Sequence, residues 1–255
     1  MDGDGSIDII VAGSGLVIID RTSGGSASVL SGVDFSSVQT LDVDGDSIRD
    51  IFASGKTGSV LLRGTGDARY ESPVAFAGDV RHASADFNGD GDEDIVLAAG
   101  STIDICDWNS LASILTLTVT GATVTDVAAA DVNGDGHSDI VAGLSAGGTT
   151  VFYGDGALGF TVPSIASTIS SASTLTVPGA PVDRVGVADL DGDSAMDIAC
   201  ATTAPTIEAW MATGATRRCA LAARALDLEC ADLDGDGLAD LLVATGSLAI
   251  IFGTP

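Results

Sequence analysis

Basic residues are scarce in this 255-residue sequence, which has 10 Lys and Arg against 36 Asp and Glu, with Lys56 as its single lysine. The formal net charge of -26 argues against nucleic acid as a partner, because phosphates are bound by Lys and Arg. No apolar run approaches the roughly 20 residues of a membrane-spanning helix, so we expect no membrane insertion. At 45% hydrophobic residues, the chain is nevertheless too apolar to be a disordered acidic tail.

Cysteine is also scarce, with 4 residues in the whole chain. This number is too small for a fold that depends on disulfide bonds. A disulfide such as Cys200–Cys230, formed in an oxidising compartment, and a set of buried free thiols that includes Cys106 and Cys219 are both compatible with the sequence. The spacing alone does not choose between them.

The acidic residues are concentrated in one nine-residue pattern, D-x-(D/N)-G-D-(G/S)-x-x-D. Five complete copies begin at Asp42, Asp86, Asp131, Asp189 and Asp232, and the N-terminus holds part of a sixth copy. Outside these loops the chain is nearly neutral. The acidity is therefore a property of the loops and not of the whole surface.

The pattern predicts metal binding, because positions 1, 3, 5 and 9 offer side-chain oxygens. Calcium takes 6–8 oxygen ligands and accepts irregular geometry. Position 7 varies, as expected if only its carbonyl binds. We expect position 9 to contribute both carboxylate oxygens, and turn formation to account for only one or two acids per loop. Without a cation the crowded carboxylates would repel one another.

About five or six structural Ca²⁺ ions are thus predicted. The predicted ligands, with position 7 included for its carbonyl, are Asp2, Asp4, Asp8, Asp42, Asp44, Asp46, Ile48, Asp50, Asp86, Asn88, Asp90, Asp92, Asp94, Asp131, Asn133, Asp135, His137, Asp139, Asp189, Asp191, Asp193, Ala195, Asp197, Asp232, Asp234, Asp236, Leu238 and Asp240. The ring of His137 is not expected to bind. Position 4 is always Gly, as a turn with positive φ requires.

The spacing of the loops predicts a repeat protein. Complete copies start 43 to 58 residues apart, and short apolar runs precede and follow each loop. Four such strands per repeat make one blade of a β-propeller. We therefore predict a single all-β domain over residues 1–255, a β-propeller of four-stranded blades with six repeats. The first blade lacks its inner strand and the last lacks its fourth, which favours part of a seven-bladed or longer propeller, in a longer chain, over a closed six-bladed ring.

The stretch Asp131-Val132-Asn133-Gly134-Asp135-Gly136-His137-Ser138-Asp139-Ile140-Val141-Ala142-Gly143 resembles the FG-GAP (VCBS-type) repeat. That repeat builds the β-propellers of integrin α subunits and of many bacterial surface proteins. The resemblance implies blades stabilised by Ca²⁺ at the loop positions given above, often in adhesion or carbohydrate contact. The Phe-Gly and Gly-Ala-Pro signatures of integrins are missing, so the bacterial variety is the nearer likeness.

Catalysis finds little support, because His82 and His137 lie in different repeats and no nucleophile motif is present. We expect a binding or adhesion module for a protein or glycan ligand. The alternatives are a structural spacer of a larger surface protein, a lectin-like propeller and, less favoured, an enzyme-associated domain. Trp108, Trp210, Tyr70 and Tyr153 do not recur in register, so we expect them to pack between blades.

One interval between loops is longer than the others, and the surplus lies in residues 161–181, rich in Ser, Thr and Ala. It is interpreted as a lengthened loop or as an insertion that contacts a partner. Calcium loops of this kind suit an extracellular, cell-surface or periplasmic protein. Because residues 1–5 show no secretion leader, this location requires a leader upstream of Met1.

Overall fold

The computed structural model describes residues 9–19, 26–66, 69–76, 78, 80–107, 112–161 and 180–253. Every regular element in these residues is a β-strand, and neighbouring strands pair antiparallel. The described part of the chain therefore contains no helix able to cross a lipid bilayer. Successive groups of strands form six blades of a β-propeller, which confirms the predicted fold class.

The strands follow the chain blade by blade. Blade 1 contains β1 (Ile9–Ala12), β2 (Gly15–Ile19) and β3 (Ser26–Ser31). Blade 2 contains β4 (Ser37–Leu41), β5 (Asp50–Gly55), β6 (Gly58–Leu62) and β9 (Val74–Phe76), with the separate hairpin β7 (Gly64–Gly66) and β8 (Arg69–Tyr70). Blade 3 contains β10 (Arg81–Ala85), β11 (Asp94–Ala99), β12 (Thr102–Cys106) and β13 (Ser113–Thr118).

The second half continues in the same order. Blade 4 contains β14 (Val124–Ala130), β15 (Asp139–Leu144), β16 (Thr149–Gly154) and β17 (Phe160–Thr161). Blade 5 contains β18 (Val182–Ala188), β19 (Asp197–Thr202), β20 (Thr206–Trp210) and β21 (Thr216–Ala220). Blade 6 contains β22 (Asp227–Ala231), β23 (Asp240–Ala244) and β24 (Leu248–Ile251). Among the described residues, the first and last blades thus have three strands, as predicted, whereas the hairpin of β7 and β8 was not predicted.

The core lies between blades. Successive side chains of a strand point to opposite faces of its sheet, so each strand supplies two interfaces. In β19, Ile198 and Cys200 pack towards blade 4, whereas Ala199 and Ala201 pack towards blade 6. Five hydrophobic clusters join blades 1 to 6 in sequence, each between two neighbours. Burial between sheets, and not within one central core, therefore holds the propeller together.

The outer faces of the two end blades differ from all the others. No hydrophobic cluster of the described residues joins blade 6 to blade 1. Val11 of blade 1 and Leu248 and Ile250 of blade 6 are 44%, 65% and 43% exposed. An additional blade would cover such faces, but a seven-bladed or longer propeller stays a prediction.

The predicted packing of the aromatic residues is confirmed where it can be seen. Trp210 and Tyr153 belong to the cluster between blades 4 and 5, and Tyr70 packs between blades 1 and 2. Trp108 lies outside the described residues, as does most of the long interval, residues 162–179. All four cysteines are free thiols, so no Cys200–Cys230 disulfide is formed.

Candidate metal centres in the acidic loops

Each of the five complete acidic loops joins the inner strand of a blade to its second strand; residues 131–139, for example, connect β14 and β15. The chain turns sharply because two loop positions have positive φ. The predicted positive φ at position 4 is confirmed, with values of 68° to 81° at Gly45, Gly89, Gly134, Gly192 and Gly235. Position 6 shares this conformation even where it is not Gly, with φ of 66° at Ser47 and 68° at Ser194.

The aspartate at position 9 is the buried anchor of each loop. Asp139 is fully buried, and its Oδ2 accepts the backbone N–H of Val132 at 3.0 Å while its Oδ1 accepts that of Gly154 at 2.9 Å. Val132 belongs to the loop and Gly154 to the end of β16, so one carboxylate joins the two. A Cβ on Gly154 would lie 2.3 Å from the carbonyl oxygen of Ser138, which explains the glycine. The position-9 carboxylates repeat this arrangement at Asp50, Asp197 and Asp240.

Positions 1, 3 and 5 also accept backbone hydrogen bonds. Asp131 accepts the N–H groups of Gly134 at 2.7 Å and Gly136 at 2.8 Å, and Asp135 accepts that of His137 at 2.9 Å. The expectation that turn formation uses only one or two acids per loop is therefore wrong. In so tight a loop these exposed N–H groups point inward, and the side-chain oxygens accept them in place of water. Crowding of acids alone is thus weaker evidence for metal than the sequence suggested.

Two other observations fit a cation. In three loops, three aspartates bring one carboxylate oxygen each within 4.8 Å of the other two. The groups are Asp42 with Asp44 and Asp50, Asp189 with Asp191 and Asp197, and Asp232 with Asp234 and Asp240. Within two of them, Oδ1 of Asp42 and Oδ1 of Asp191 are buried and have no hydrogen-bond donor among the described residues. A buried carboxylate oxygen without a partner is costly, and a cation between converging carboxylates would remove that cost.

The remaining two complete loops carry an amide at position 3. The side-chain N–H of Asn88 points to Oδ1 of Asp94 at 3.4 Å, and that of Asn133 donates to Asp135 at 3.0 Å. An amide oxygen still binds calcium, but it brings no charge. The all-carboxylate loops are therefore the stronger candidates.

Five loop carboxylates, four of them at position 9, have a raised pKa and hold their protons more tightly than free aspartate. The pKa of Asp94 and of Asp139 is raised from 3.8 to about 6; burial is the main cause, backbone hydrogen bonds oppose it and nearby carboxylates add to it. The pKa of Asp50 and of Asp197 is raised for the same reasons. At Asp44, burial and the charge of Asp46 raise the pKa. A bound divalent cation would oppose both effects, since it favours the ionised form.

Side chains at position 7 point away from their own loops where their contacts are defined. The carboxylate of Asp92 reaches the neighbouring loop, where a Cβ on Gly45 would lie 2.7 Å from its Oδ1. The ring of His137 lies against Gly156, and Leu238 lies against Gly192. Ile48 and Ala195 donate their N–H to the position-5 aspartates. Carbonyl binding by position 7 stays a prediction, and Asp2, Asp4 and Asp8 lie outside the described residues.

A second polar site was not predicted from the sequence. The inner strands of blades 2 to 6 surround an axial cavity of ≈ 260 Å³. Five residues before each complete loop, the cavity is lined by Ser37, Arg81, Asp126, Arg184 and Asp227, so the charge alternates from Arg81 onwards. Arg184 donates to Asp227 at 3.1 Å, and Asp126 accepts the N–H of Val185 at 3.0 Å. These contacts link successive blades, and alignment of the repeats at this position would have revealed the alternation.

Comparisons with known proteins agree with this architecture. Residues 42–97, 86–142 and 131–200 each match the FG-GAP-like repeat. No curated protein sequence matches the chain significantly. Solved structures that match include two described as BBS1N in complex with ARL6DN, one crystal soaked with lead and one with mercury. Their TM-scores are 0.67 and 0.65 at 15% and 14% identity, over 99% and 96% of this chain and 77% and 74% of those chains.

At such low identity, the likeness to the solved structures shows the propeller fold alone. The repeat matches carry more, because together they run without a break from residue 42 to residue 200, which is more than half of the chain. This chain belongs to the FG-GAP-like repeat family.

Proposed function

We propose that this chain is a calcium-stabilised β-propeller that acts as a non-catalytic binding module for another protein. The observation that carries the calcium part is the pair of buried carboxylate oxygens without donors, on Asp42 and Asp191, each inside a group of three converging carboxylates. Calcium suits these loops better than magnesium, because it accepts irregular, carboxylate-rich sites of 6–8 oxygens. Five similar loops favour a structural ion, since catalysis needs one distinctive site.

The binding part rests on the architecture. A propeller presents loops on a rigid frame, and positions on such loops commonly carry binding. A propeller chain of this fold, BBS1N, is described in complex with ARL6DN. A glycan ligand is less favoured, because the rings of Trp210 and Tyr153 pack between blades and do not form exposed stacking platforms. A purely structural spacer would need no cleft of the kind described below.

The proposed location is extracellular, at the cell surface or periplasmic. Sites of this kind in extracellular modules have dissociation constants of roughly 10⁻⁴–10⁻³ M and would stand empty at sub-micromolar calcium. Fractionation of the native cells tests this, and a protein found in the cytosol would contradict it.

Calorimetric titration of the metal-stripped protein with Ca²⁺ tests the calcium sites directly. We expect about five weak sites, and we expect Asp42→Ala and Asp191→Ala each to remove one. Asp34→Ala, which changes an exposed aspartate outside the loops, is the matched control and should bind as the wild type does. Absence of calcium binding, or an unchanged number of sites in both loop variants, would overturn the proposal.

A further inference from the structure

A wide cleft lies between blades 4 and 5, beside the acidic loops. Its volume is ≈ 970 Å³, which is within the range of ligand-binding pockets. Trp210, Ile198 and Met211 form a buried apolar floor, and Tyr153 lines one wall. Met196 at the rim is 37% exposed. Above this buried floor, Met196 and the half-buried Tyr153 thus offer apolar surface that a ligand can reach.

The neighbouring interface shows what fills the corresponding place. Between blades 3 and 4, Leu158 and Phe160 pack against the hydrophobic cluster. The ring of Phe160 lies 5.9 Å from that of Phe87, centroid to centroid, and the N–H of Leu158 donates to the carbonyl of Phe87 at 3.2 Å. Leu158 adopts a φ of 62° there, a conformation that costs a non-glycine residue energy. A turn with a Leu-x-Phe pair therefore plugs this interface.

Blade 5 has no such plug. Gly154 and Ala212 are equivalent, because each donates its N–H to the position-9 aspartate of its own blade. Four and six residues beyond Gly154 stand Leu158 and Phe160, whereas Thr216 and Arg218 stand at the same distances beyond Ala212. Loop position 2 also differs, with Val132 in place of the larger Phe87. As far as residues 112–161 and 180–253 show, the cleft is therefore the unfilled counterpart of the interface between blades 3 and 4.

The rim of the cleft is acidic. Asp131, Asp135 and Asp155 line it, and none of its described lining residues is Lys or Arg. The loop of residues 189–197 adds four aspartates next to it. Even with one Ca²⁺ in each flanking loop, the carboxylate charges outnumber those of the cations. Opposite charge on a partner would steer its approach and select it.

We propose that this cleft binds a short protein segment carrying a Leu-x-Phe pair flanked by Lys or Arg. Its apolar pair would cover Tyr153 and Met196, one of its backbone N–H groups would donate to the carbonyl of Val132 as that of Leu158 does to the carbonyl of Phe87, and its basic residues would meet the rim. This inference rests on the proposed binding function and names the chemistry of the partner.

The test uses a fluorescent peptide with the residue 156–161 sequence, Gly-Ala-Leu-Gly-Phe-Thr, between two lysines at each end, titrated with the full chain in Ca²⁺. We expect saturable binding. Val132→Phe, which supplies the bulk that Phe87 has next door, should weaken binding at least tenfold. Leu233→Phe is the matched control, because Leu233 is the position-2 residue of the blade 6 loop and is 45% exposed. Leu233→Phe should leave binding unchanged. A peptide with glutamate in place of its four lysines should not bind.

Several results would overturn the proposal. Two of them are failure of the wild type to bind the peptide and binding of the peptide by Val132→Phe as tightly as by the wild type. The third result is peptide binding that occurs only after the chain's own residues 163–178 are replaced by a Gly-Ser linker. Thermal unfolding with and without Ca²⁺ must show that Val132→Phe is folded and still stabilised by calcium. If calcium stabilises both proteins but the peptide does not bind, the cleft inference fails while the calcium-stabilised propeller stands.

Discussion

Oδ1 of Asp139 accepts the backbone N–H of Gly154 at 2.9 Å, which fastens the acidic loop of blade 4 to the end of its third strand. The same carboxylate holds Val132 through its other oxygen. The loop is therefore part of the fold of the blade even before any metal is considered.

Asp139→Ala should lower the free energy of unfolding by about 2–4 kcal/mol in EDTA, because the buried N–H of Gly154 and the partly buried N–H of Val132 lose their acceptor. Asp135→Ala is the control in the same loop: it frees the exposed N–H groups of the His137 backbone and the Asn133 side chain, which water can satisfy, and should cost less than about 1 kcal/mol under the same conditions. Denaturant unfolding of both variants in EDTA separates this structural role from metal binding. Equal losses in the two variants would contradict the anchoring role of Asp139.

Leu248 and Ile207 form a matched pair, since they hold equivalent positions in blades 6 and 5 but are 65% and 2% exposed. Ile207→Ala should cost about 2–5 kcal/mol, as for other buried aliphatic side chains. Leu248→Ala should change the free energy of unfolding by no more than about 0.5 kcal/mol. Urea unfolding of the two variants measures both values, and a large loss for Leu248→Ala would show that a partner surface already covers blade 6.

Stability should depend on pH through Asp126 at the axial cavity. Burial raises its pKa from 3.8 to about 6, although the N–H of Val185 and the charges of Arg184 and Arg81 lower it. The folded state then holds the proton more tightly than the unfolded state. This residue's contribution to stability is therefore lost as the pH rises from about 4 to about 6, by up to about 3 kcal/mol.

Asp126→Asn cannot lose that proton, so its stability relative to the wild type should increase over this pH range. Unfolding of both proteins in EDTA at pH 4, 5, 6 and 7 measures the difference. A difference that stays constant with pH, or one that moves in the opposite direction, would contradict a raised pKa at Asp126.

The sequence was sufficient for the repeated parts of the molecule and insufficient for contacts between repeats. Strands such as β11 and β15 were predictable because a short apolar run follows each loop, and the glycine at position 4 of each loop predicted its positive φ. The pairing of Arg184 with Asp227 was missed, because it depends on how one blade sits against the next. The cleft beside Val132 arises from the shapes of two blades together, and no pattern within one repeat reveals it.

Calcium removal tests the central claim of a calcium-stabilised propeller most directly. At ten times the dissociation constant, each site contributes about 1.4 kcal/mol, and five loops contribute roughly 7 kcal/mol, which is comparable to the whole stability of a domain. Thermal unfolding of the calcium-loaded protein, with and without excess EDTA, measures this contribution. We expect EDTA to lower the melting temperature by more than about 10 °C, with calcium restoring it and magnesium restoring it poorly. A melting temperature that EDTA leaves unchanged would contradict the account.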